Sequence, residues 1–150
     1  MSTFLSRSKL LMVDDEPGLL KICAHVLRLS GFSVVTADGP LKALAMMMGK
    51  AAEKTDVGVA ILDYNMPTMN GCALAEELRS MRPDLKIILH SGAFDIPPGE
   101  LASVDVFVPK GGGVEPLIAE VARLAKSGPM TQPAPNDDSS WATILYNSER

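Results

Sequence analysis

Short apolar runs alternate with stretches of helical periodicity along most of this 150-residue chain. The runs are rich in Val, Ile and Leu, and several are nearly continuous rather than interleaved with polar residues. That pattern is typical of strands buried on both faces of a parallel sheet. Five strands are predicted: Lys9 to Val13, Ser33 to Ala37, Val57 to Leu62, Lys86 to Leu89 and Val104 to Val108.

The segments between these runs carry apolar residues at the three- and four-residue spacing of a helix face. Pro17, Pro40 and Pro116 stand near the predicted helix starts, where the missing backbone N–H of a proline is not needed. Strand and helix therefore alternate five times. This alternation predicts an α/β fold with a doubly wound (βα)5 parallel sheet.

The fourth helix is an exception to this regular pattern. Pro97 and Pro98 interrupt the segment between the fourth and fifth strands, and a helix cannot continue through them. Only residues from about Gly99 to Ser103 are left to form it. We therefore expect a shortened or irregular fourth helix.

Composition narrows the classes of protein to consider. Hydrophobic residues make up 47% of the chain and charged residues 21%, which suits one packed domain. The net charge of −4 and the lack of a broad basic region argue against direct nucleic-acid or anionic-membrane binding. No apolar run approaches the ~20 residues of a membrane span, and no secretory signal is visible. With only Cys23 and Cys72, a disulfide scaffold is excluded, and we expect a cytoplasmic protein.

The composition changes near residue 128. We assign residues 1–127 to the α/β domain and residues 128–150 to a linker-like tail that contains three prolines. The tail holds the only tryptophan, Trp141, within the apolar segment WATILY. One hypothesis is that this segment docks where the fourth helix is depleted, or on a partner. The alternative is a disordered end.

Polar residues follow the predicted strands at the edge where open α/β sheets bind their ligands. These residues are Asp14 and Asp15 after the first strand, Asp63 after the third, Ser91 after the fourth and Lys110 after the fifth. The carboxylates carry −3 and the lysine +1, so one divalent cation would balance the charge. Oxygen ligands without nearby His or Cys suit a hard ion, Mg²⁺ best, or Mn²⁺. Such a site can admit a phosphoryl group, which an aspartate can accept as an acyl phosphate.

The segments VDDEP, ILDYNMPTMNG, LHSG and FVPKG, in this order on this alternation, resemble the receiver domain of two-component response regulators. The resemblance covers residues 9 to about 127 and implies a flavodoxin-like sheet with strand order 2-1-3-4-5. It also implies transfer of a phosphoryl group from a phosphohistidine of a sensor histidine kinase or phosphotransfer protein. The transfer would switch protein–protein interactions with a downstream target that the sequence does not name, and a homodimer is possible.

The resemblance assigns the acceptor and its metal. Asp63 matches the phosphoacceptor and hence the nucleophile. Asp14 and Asp15 match the acidic pair that binds magnesium, Asp15 directly. Asn65 matches the position that lends its backbone carbonyl to the metal and influences the lifetime of the phosphoryl group.

The resemblance also assigns the residues that respond to the phosphoryl group. Ser91 matches the switch hydroxyl and Lys110 the lysine that meets the phosphoryl oxygens. Phe107 falls where the family places an aromatic residue that turns inward, although plain core packing is the alternative for a strand aromatic. In the family, a proline in a cis bond usually follows the lysine, whereas here Gly111 to Gly113 follow it. We expect a looser loop there and, because the fourth helix is cut down, a remodelled output surface.

Two other functions remain open from the sequence. One is a phosphohydrolase with an aspartyl nucleophile. Such enzymes resemble one another in a DxDx[TV] motif after the first strand, and the segment VDDEP of this chain does not match that spacing, which disfavours this function. The other is a receiver-like binding module that is not phosphorylated. The leading prediction is a stand-alone receiver that is not an enzyme beyond phosphotransfer onto itself and slow autodephosphorylation.

Overall fold

The computed structural model describes residues 9–48, 57–93 and 95–126 of the chain. The predicted tail, residues 128–150, lies outside the described residues. Strands and helices alternate through the described parts, and their bounds are as follows: β1 Lys9–Val13, α1 Pro17–Leu29, β2 Ser33–Ala37, α2 Pro40–Met48, β3 Val57–Leu62, α3 Gly71–Met81, β4 Lys86–Ser91, α4 Pro98–Leu101, β5 Val106–Pro109 and α5 Glu115–Lys126.

The five strands form one parallel sheet with the order β2-β1-β3-β4-β5, which confirms the predicted flavodoxin-like topology. The last residues of neighbouring strands are in register: Val13 pairs with both Ala37 and Leu62. Ser91, at the end of β4, pairs with Pro109 at the end of β5. The residues that follow these strands therefore emerge along one edge of the sheet.

Helices cover both faces of the sheet, as a doubly wound fold requires. One core joins α1 and α5 to strand residues such as Leu10, Met12 and Ile61, all almost fully buried. The other core joins α2, α3 and the α4 segment to the alternate strand residues, such as Leu11 and Leu62. Burial on both faces explains why the strand sequences read as continuous apolar runs.

The fourth helix has only four residues and is short, as predicted. It begins at Pro98, one residue earlier than expected, because a proline is tolerated in the first turn of a helix. It ends at Leu101 rather than Ser103, because the N–H groups of Ser103 and Val104 close turns onto Glu100 and Leu101.

Three strand boundaries differ from the prediction, and one of them is the end of β5, which lies at Pro109 instead of Val108. β5 begins at Val106 instead of Val104, because Val104 belongs to the turn that ends α4. The carboxylate of Asp105 holds this turn in place by accepting from the backbone N–H of Ile87 at 2.7 Å and from Arg79 at 3.1 Å. β4 runs two residues beyond Leu89, through Ser91. Among the described helices, none has the length and apolar character needed to cross a bilayer.

Candidate functional site

Three carboxylates meet where β1 and β3 end. The N–H of Asp14 bonds to Ala37 O at 3.3 Å and that of Asp63 to Val13 O at 3.1 Å, so both residues continue the sheet by one position. Asp14 is 2% exposed and Asp63 is 7% exposed, whereas Asp15 is exposed. One carboxylate oxygen from each of the three lies within 4.8 Å of the others. The structure thus brings together the three acidic residues that the sequence singles out.

Lys110 supplies the positive charge of this cluster. It opens a short 3₁₀ turn, Lys110–Gly112, directly after β5. Its Nζ donates to Asp14 Oδ2 at 2.8 Å and lies 3.5 Å from Asp63 Oδ1. One ammonium beside three carboxylates leaves a formal charge of −2, so the site is suited to a divalent cation.

The electrostatics of Asp63 reflect this crowding. Burial raises the pKa of Asp63 above its usual value, and the charge of Asp14 raises it further. The ammonium of Lys110, a hydrogen bond with Ser91 and the backbone N–H of Tyr64 lower the pKa of Asp63 but do not cancel the increase. For Lys110, burial lowers the pKa, but the hydrogen bond to Asp14 and the charges of both aspartates outweigh it and raise the pKa. The lysine therefore stays charged in the cluster.

Ser91 and Phe107 lie on the same face of the sheet. Ser91 is 1% exposed, and its Oγ accepts from the backbone N–H of Ala93 at 3.3 Å. Phe107 pairs in register with Leu89, two residues before Ser91, and is half-buried against the core formed with α2 and α3. Ser91 lies near Asp63 and lowers its pKa, and Phe107 is on the same face of the sheet as Ser91.

Asn65 occupies the second position after Asp63, in the loop between β3 and α3, and its side chain is exposed. An exposed side chain is compatible with a role that uses only the backbone carbonyl. That role stays a prediction.

The loop between β3 and α3 is folded tightly against Asp63. The N–H of Gly71 bonds to Tyr64 O at 2.9 Å, and the Asn70 side chain caps α3 by accepting from the N–H of Ala73 at 2.9 Å. Thr68 in this loop has a φ of 81°, unusual for a residue branched at Cβ. A Cβ on Gly71 would overlap the carbonyl oxygen of Asp63 and would lie 2.9 Å from Leu89 Cδ1. Only glycine therefore fits at the start of α3.

Replacing Gly71 by Ala is expected to lower the free energy of unfolding by roughly 1–3 kcal/mol, because the backbone of Asp63 must move to admit the methyl group. Gly18→Ala is the matched control: Gly18 also lies in the first turn of a helix, and nothing stands within 4 Å of its added Cβ. Urea unfolding of both variants tests this, and an equal or smaller loss in Gly71→Ala would contradict it.

The glycines after Lys110 belong to a hydrogen-bonded turn. Gly111 lies within the 3₁₀ turn, and the bond from Lys110 to Gly111 is trans. Gly113 closes the turn with a φ of 85°, and its N–H bonds to Lys110 O at 3.3 Å. The expectation of a looser loop stays a prediction, and in the structure a backbone hydrogen bond closes the turn that carries the lysine.

The donor set fits a magnesium ion. In octahedral coordination with metal–oxygen bonds of ~2.1 Å, ligand oxygens lie ~3 to ~4 Å apart, close to the spread of the three carboxylate oxygens. Exposure of Asp15 leaves one side open for water, which magnesium retains in most protein sites. Asp14, Asp15 and Asp63 can hold the ion with small side-chain adjustments.

Sequence reasoning missed several residues that shape the site. The N–H of Glu16 donates to Asp14 Oδ1 at 3.0 Å, so both oxygens of Asp14 have partners. The hydroxyl of Tyr64 donates to Glu100 at 2.7 Å and joins the acceptor loop to α4; this bond raises the pKa of Tyr64 to about 12. The adjacency of Tyr64 to Asp63 was the only signal for it in the sequence. Gly71 could have been found from the Asn70–Gly71 pair at a helix start.

Comparison with known proteins identifies the family. A family model described as the response regulator receiver domain matches residues 10–120. The chain belongs to the response regulator receiver domain family. The matched residues include the acidic cluster, Ser91 and Lys110, which lie at one edge of the five-stranded sheet.

The receiver is similar to longer regulators over only a portion of their length. It is 30% identical over 139 residues to the transcriptional regulatory protein GlrR of Escherichia coli K12, which covers 91% of this chain and 29% of GlrR. It is 32% identical to the transcriptional regulatory protein PrrA of Mycobacterium leprae, over 84% of this chain and 53% of PrrA. The chain therefore spans about half or less of these relatives.

Solved structures show the same fold. The response regulator TrrA of Thermotoga maritima in complex with Mg²⁺-BeF has a TM-score of 0.69 and 28% identity, covering 77% of this chain and 97% of that chain. TrrA in complex with the histidine kinase ThkA has a TM-score of 0.68 and 27% identity, again covering 77% and 97%.

Proposed function

We propose that this receiver accepts a phosphoryl group on Asp63 in a two-component signalling pathway. The observation that carries the proposal is the position of Asp63: a buried carboxylate within reach of Asp14, Asp15, Ser91 and Lys110. Its raised pKa shows that the folded chain disfavours the charge of Asp63 when no cation is present. Binding a cation beside Asp63 would relieve that cost.

The position of Asp63 beside the other site residues suggests how the phosphoryl group would be transferred and released. A carboxylate oxygen of Asp63 attacks the phosphorus of a phosphohistidine, the P–N bond breaks, and the imidazole leaves as the acyl phosphate forms. Magnesium, held by Asp14, Asp15, Asp63 and the Asn65 carbonyl, would neutralise charge on the phosphoryl oxygens. Attack by water then releases inorganic phosphate and restores the carboxylate.

Lys110 and Ser91 would receive the oxygens of the transferred group. The Lys110 ammonium lies 3.5 Å from Asp63, and a phosphoryl group there would add anionic oxygens for it to contact. The Ser91 hydroxyl would reorient toward the same oxygens. Phe107, on the same sheet face, would then turn inward, and the α4 region would present the changed surface to a downstream protein.

A sensor histidine kinase or a phosphotransfer protein is the proposed donor. The structural likeness to TrrA, which forms a complex with the histidine kinase ThkA, supports a kinase partner. We propose residues 1–127 as the receiver unit and residues 128–150 as a separate tail. Binding to a downstream target protein and formation of a homodimer are also part of the proposal.

Phosphorylation is tested by intact mass measurement. Wild-type protein is incubated with Mg²⁺ and phosphoramidate, a small donor whose P–N bond resembles that of phosphohistidine. We expect a gain of one phosphoryl group that is lost in Asp63→Asn and when the metal is chelated. Asp84→Asn is the control, because Asp84 is 84% exposed and stands outside the cluster.

The outcomes separate the alternatives. An adduct that persists in Asp63→Asn would overturn the assignment of the acceptor. Absence of an adduct together with turnover of phosphate esters would favour a phosphohydrolase, and absence of both would favour a binding module that is not phosphorylated.

A further inference from the structure

One flank of α1 carries an exposed apolar stripe that no described residue covers. Leu19, Ile22, Val26 and Leu29 follow one another at spacings of three, four and three residues, which places them along one side of the helix. Ile22 is 63% and Leu29 is 73% exposed, while Leu19 and Val26 are half-buried against the core. We call these four residues the α1 stripe. A continuous stripe over three turns indicates an interaction surface, which a single exposed residue would not.

The α1 stripe faces the side of α5. At about 100° per residue, the stripe and the polar residues Lys21, His25 and Arg28 fall on opposite flanks of the buried face. Arg28 donates to the backbone oxygen of Val34 in β2 at 2.9 Å, so the polar flank points toward β2. The stripe therefore points the other way, where α5 packs over β3 and β4 on the same face of the sheet.

The region around the short α4 offers a poorer docking surface. Ile96, Leu101 and Val104 are half-buried and already pack against the core. The other large exposed apolar residues among those described are Leu41, 60% exposed, and Met48, 67% exposed, both on α2 on the opposite face. Among the described residues, the α1 stripe is thus the exposed apolar surface on the same face of the sheet as α5.

We infer that residues 141–146, WATILY, of this same chain dock on the α1 stripe. Both α1 and α5 run antiparallel to the strands on one face, so α5 ends at the edge of the sheet where Leu29 ends α1. Fifteen positions separate Lys126 from Trp141 (141 − 126), a length that can span up to ~50 Å. The 13 residues of α1 extend only ~20 Å. The connecting chain can therefore bring Trp141 to any point of the stripe.

The chemistry of the two segments is complementary. WATILY offers large apolar side chains, which suit the exposed apolar side chains of Ile22 and Leu29 in the α1 stripe. Because the segment is tethered to the domain, its effective concentration exceeds that of a second copy in dilute solution, which favours docking within one chain. The inference does not depend on phosphorylation of Asp63.

Fluorescence of Trp141, the only tryptophan, tests the contact in the full chain. We expect the wild-type emission to be blue-shifted from that of the urea-unfolded chain at every protein concentration. Ile22→Ser with Leu29→Ser should shift the emission to the unfolded position and increase quenching by acrylamide. Leu41→Ser is the control, because Leu41 is similarly exposed on the other face and should leave the emission unchanged.

A reciprocal measurement keeps the test independent of the folding of these variants. In Trp141→Ala, the methyl resonances of Ile22 and Leu29 should shift through loss of the ring current, and those of Leu41 should not. Wild-type emission equal to that of the unfolded chain would overturn the inference. A blue shift that persists in the variant with Ile22→Ser and Leu29→Ser would also overturn it. So would a blue shift that appears only when protein concentration and the molecular mass in solution increase together, because that result would indicate docking on a second copy of the chain.

Discussion

Replacing Lys110 by Met is expected to lower the free energy of unfolding by about 3 kcal/mol at neutral pH in metal-free buffer, and to abolish phosphorylation of Asp63. The ammonium is the positive charge within 4 Å of two buried carboxylates, 2.8 Å from Asp14 and 3.5 Å from Asp63. Methionine keeps most of the packing of the lysine stem and removes the charge. The loss of stability therefore measures the cost of leaving the two buried carboxylates without a positive charge beside them.

The variant should recover stability in two ways. Lys110 lowers the pKa of Asp63 in the wild type, so removing it raises that pKa further, and the folded variant takes up a proton more readily than the unfolded chain. Its stability relative to wild type should then increase as the pH falls. A divalent cation should also reduce the difference, because it replaces the missing positive charge.

Urea unfolding over a range of pH, with and without Mg²⁺, measures these effects. Lys42→Met is the matched control, because Lys42 is exposed on α2, away from the acidic cluster. A loss no larger in Lys110→Met than in Lys42→Met would show that the ion pair contributes nothing to the fold.

Acidification from pH 6.5 to pH 4 is expected to cost the protein roughly 3 kcal/mol of stability through His90. This side chain is 4% exposed on β4, and neither ring nitrogen has a hydrogen-bond partner among the described residues. Burial lowers the pKa of His90 from 6.5 to about 4, and the charge of Lys110 acts in the same direction, against Asp14.

The sign follows from the two states of His90. Between pH 6.5 and 4 the unfolded chain binds a proton at this histidine and the folded chain does not, so stability falls as the pH falls. The full stability is present above pH 6.5. The raised pKa of Asp63 acts in the opposite direction, but it is common to wild type and a His90 variant and cancels in their difference.

His90→Leu should flatten this dependence and be at least as stable as wild type at neutral pH, because an apolar side chain leaves no buried nitrogen without a partner. His25→Leu is the control, since His25 is exposed on α1 and its loss should leave the wild-type slope. Unfolding free energies at several pH values decide the matter. A slope in His90→Leu as steep as that of wild type would assign the acid sensitivity to other groups.

The strands could be predicted well because burial on both faces leaves a clear mark on the sequence. β1, β2 and β3 have the predicted bounds, since continuous runs of Val, Ile and Leu end where the chain reaches the acidic loops. The region from α4 to β5 was placed less accurately. Its boundaries depend on the carboxylate of Asp105, which accepts from Ile87 and Arg79, residues distant in the sequence.

The polar residues of the site were identified for a similar reason. In a parallel sheet each strand ends at the same edge, so residues that follow separate strands must gather there, and Asp14, Asp63 and Lys110 do. The sequence did not show that Gly71 is required by the approach of α3 to the Asp63 carbonyl. Nor did it show that His90 is buried without a partner, because periodicity does not separate the two faces of a strand that is buried on both.

The order of apolar runs and the polar residues after them determined the topology, the family and the identity of the acidic cluster, because these depend on local pattern and on the rules of parallel sheets. Only the tertiary structure decided the distances between charges, the pKa of Asp63 and His90, and the exposed flank of α1. Those properties depend on which side chains of distant segments come together and on how much water they exclude.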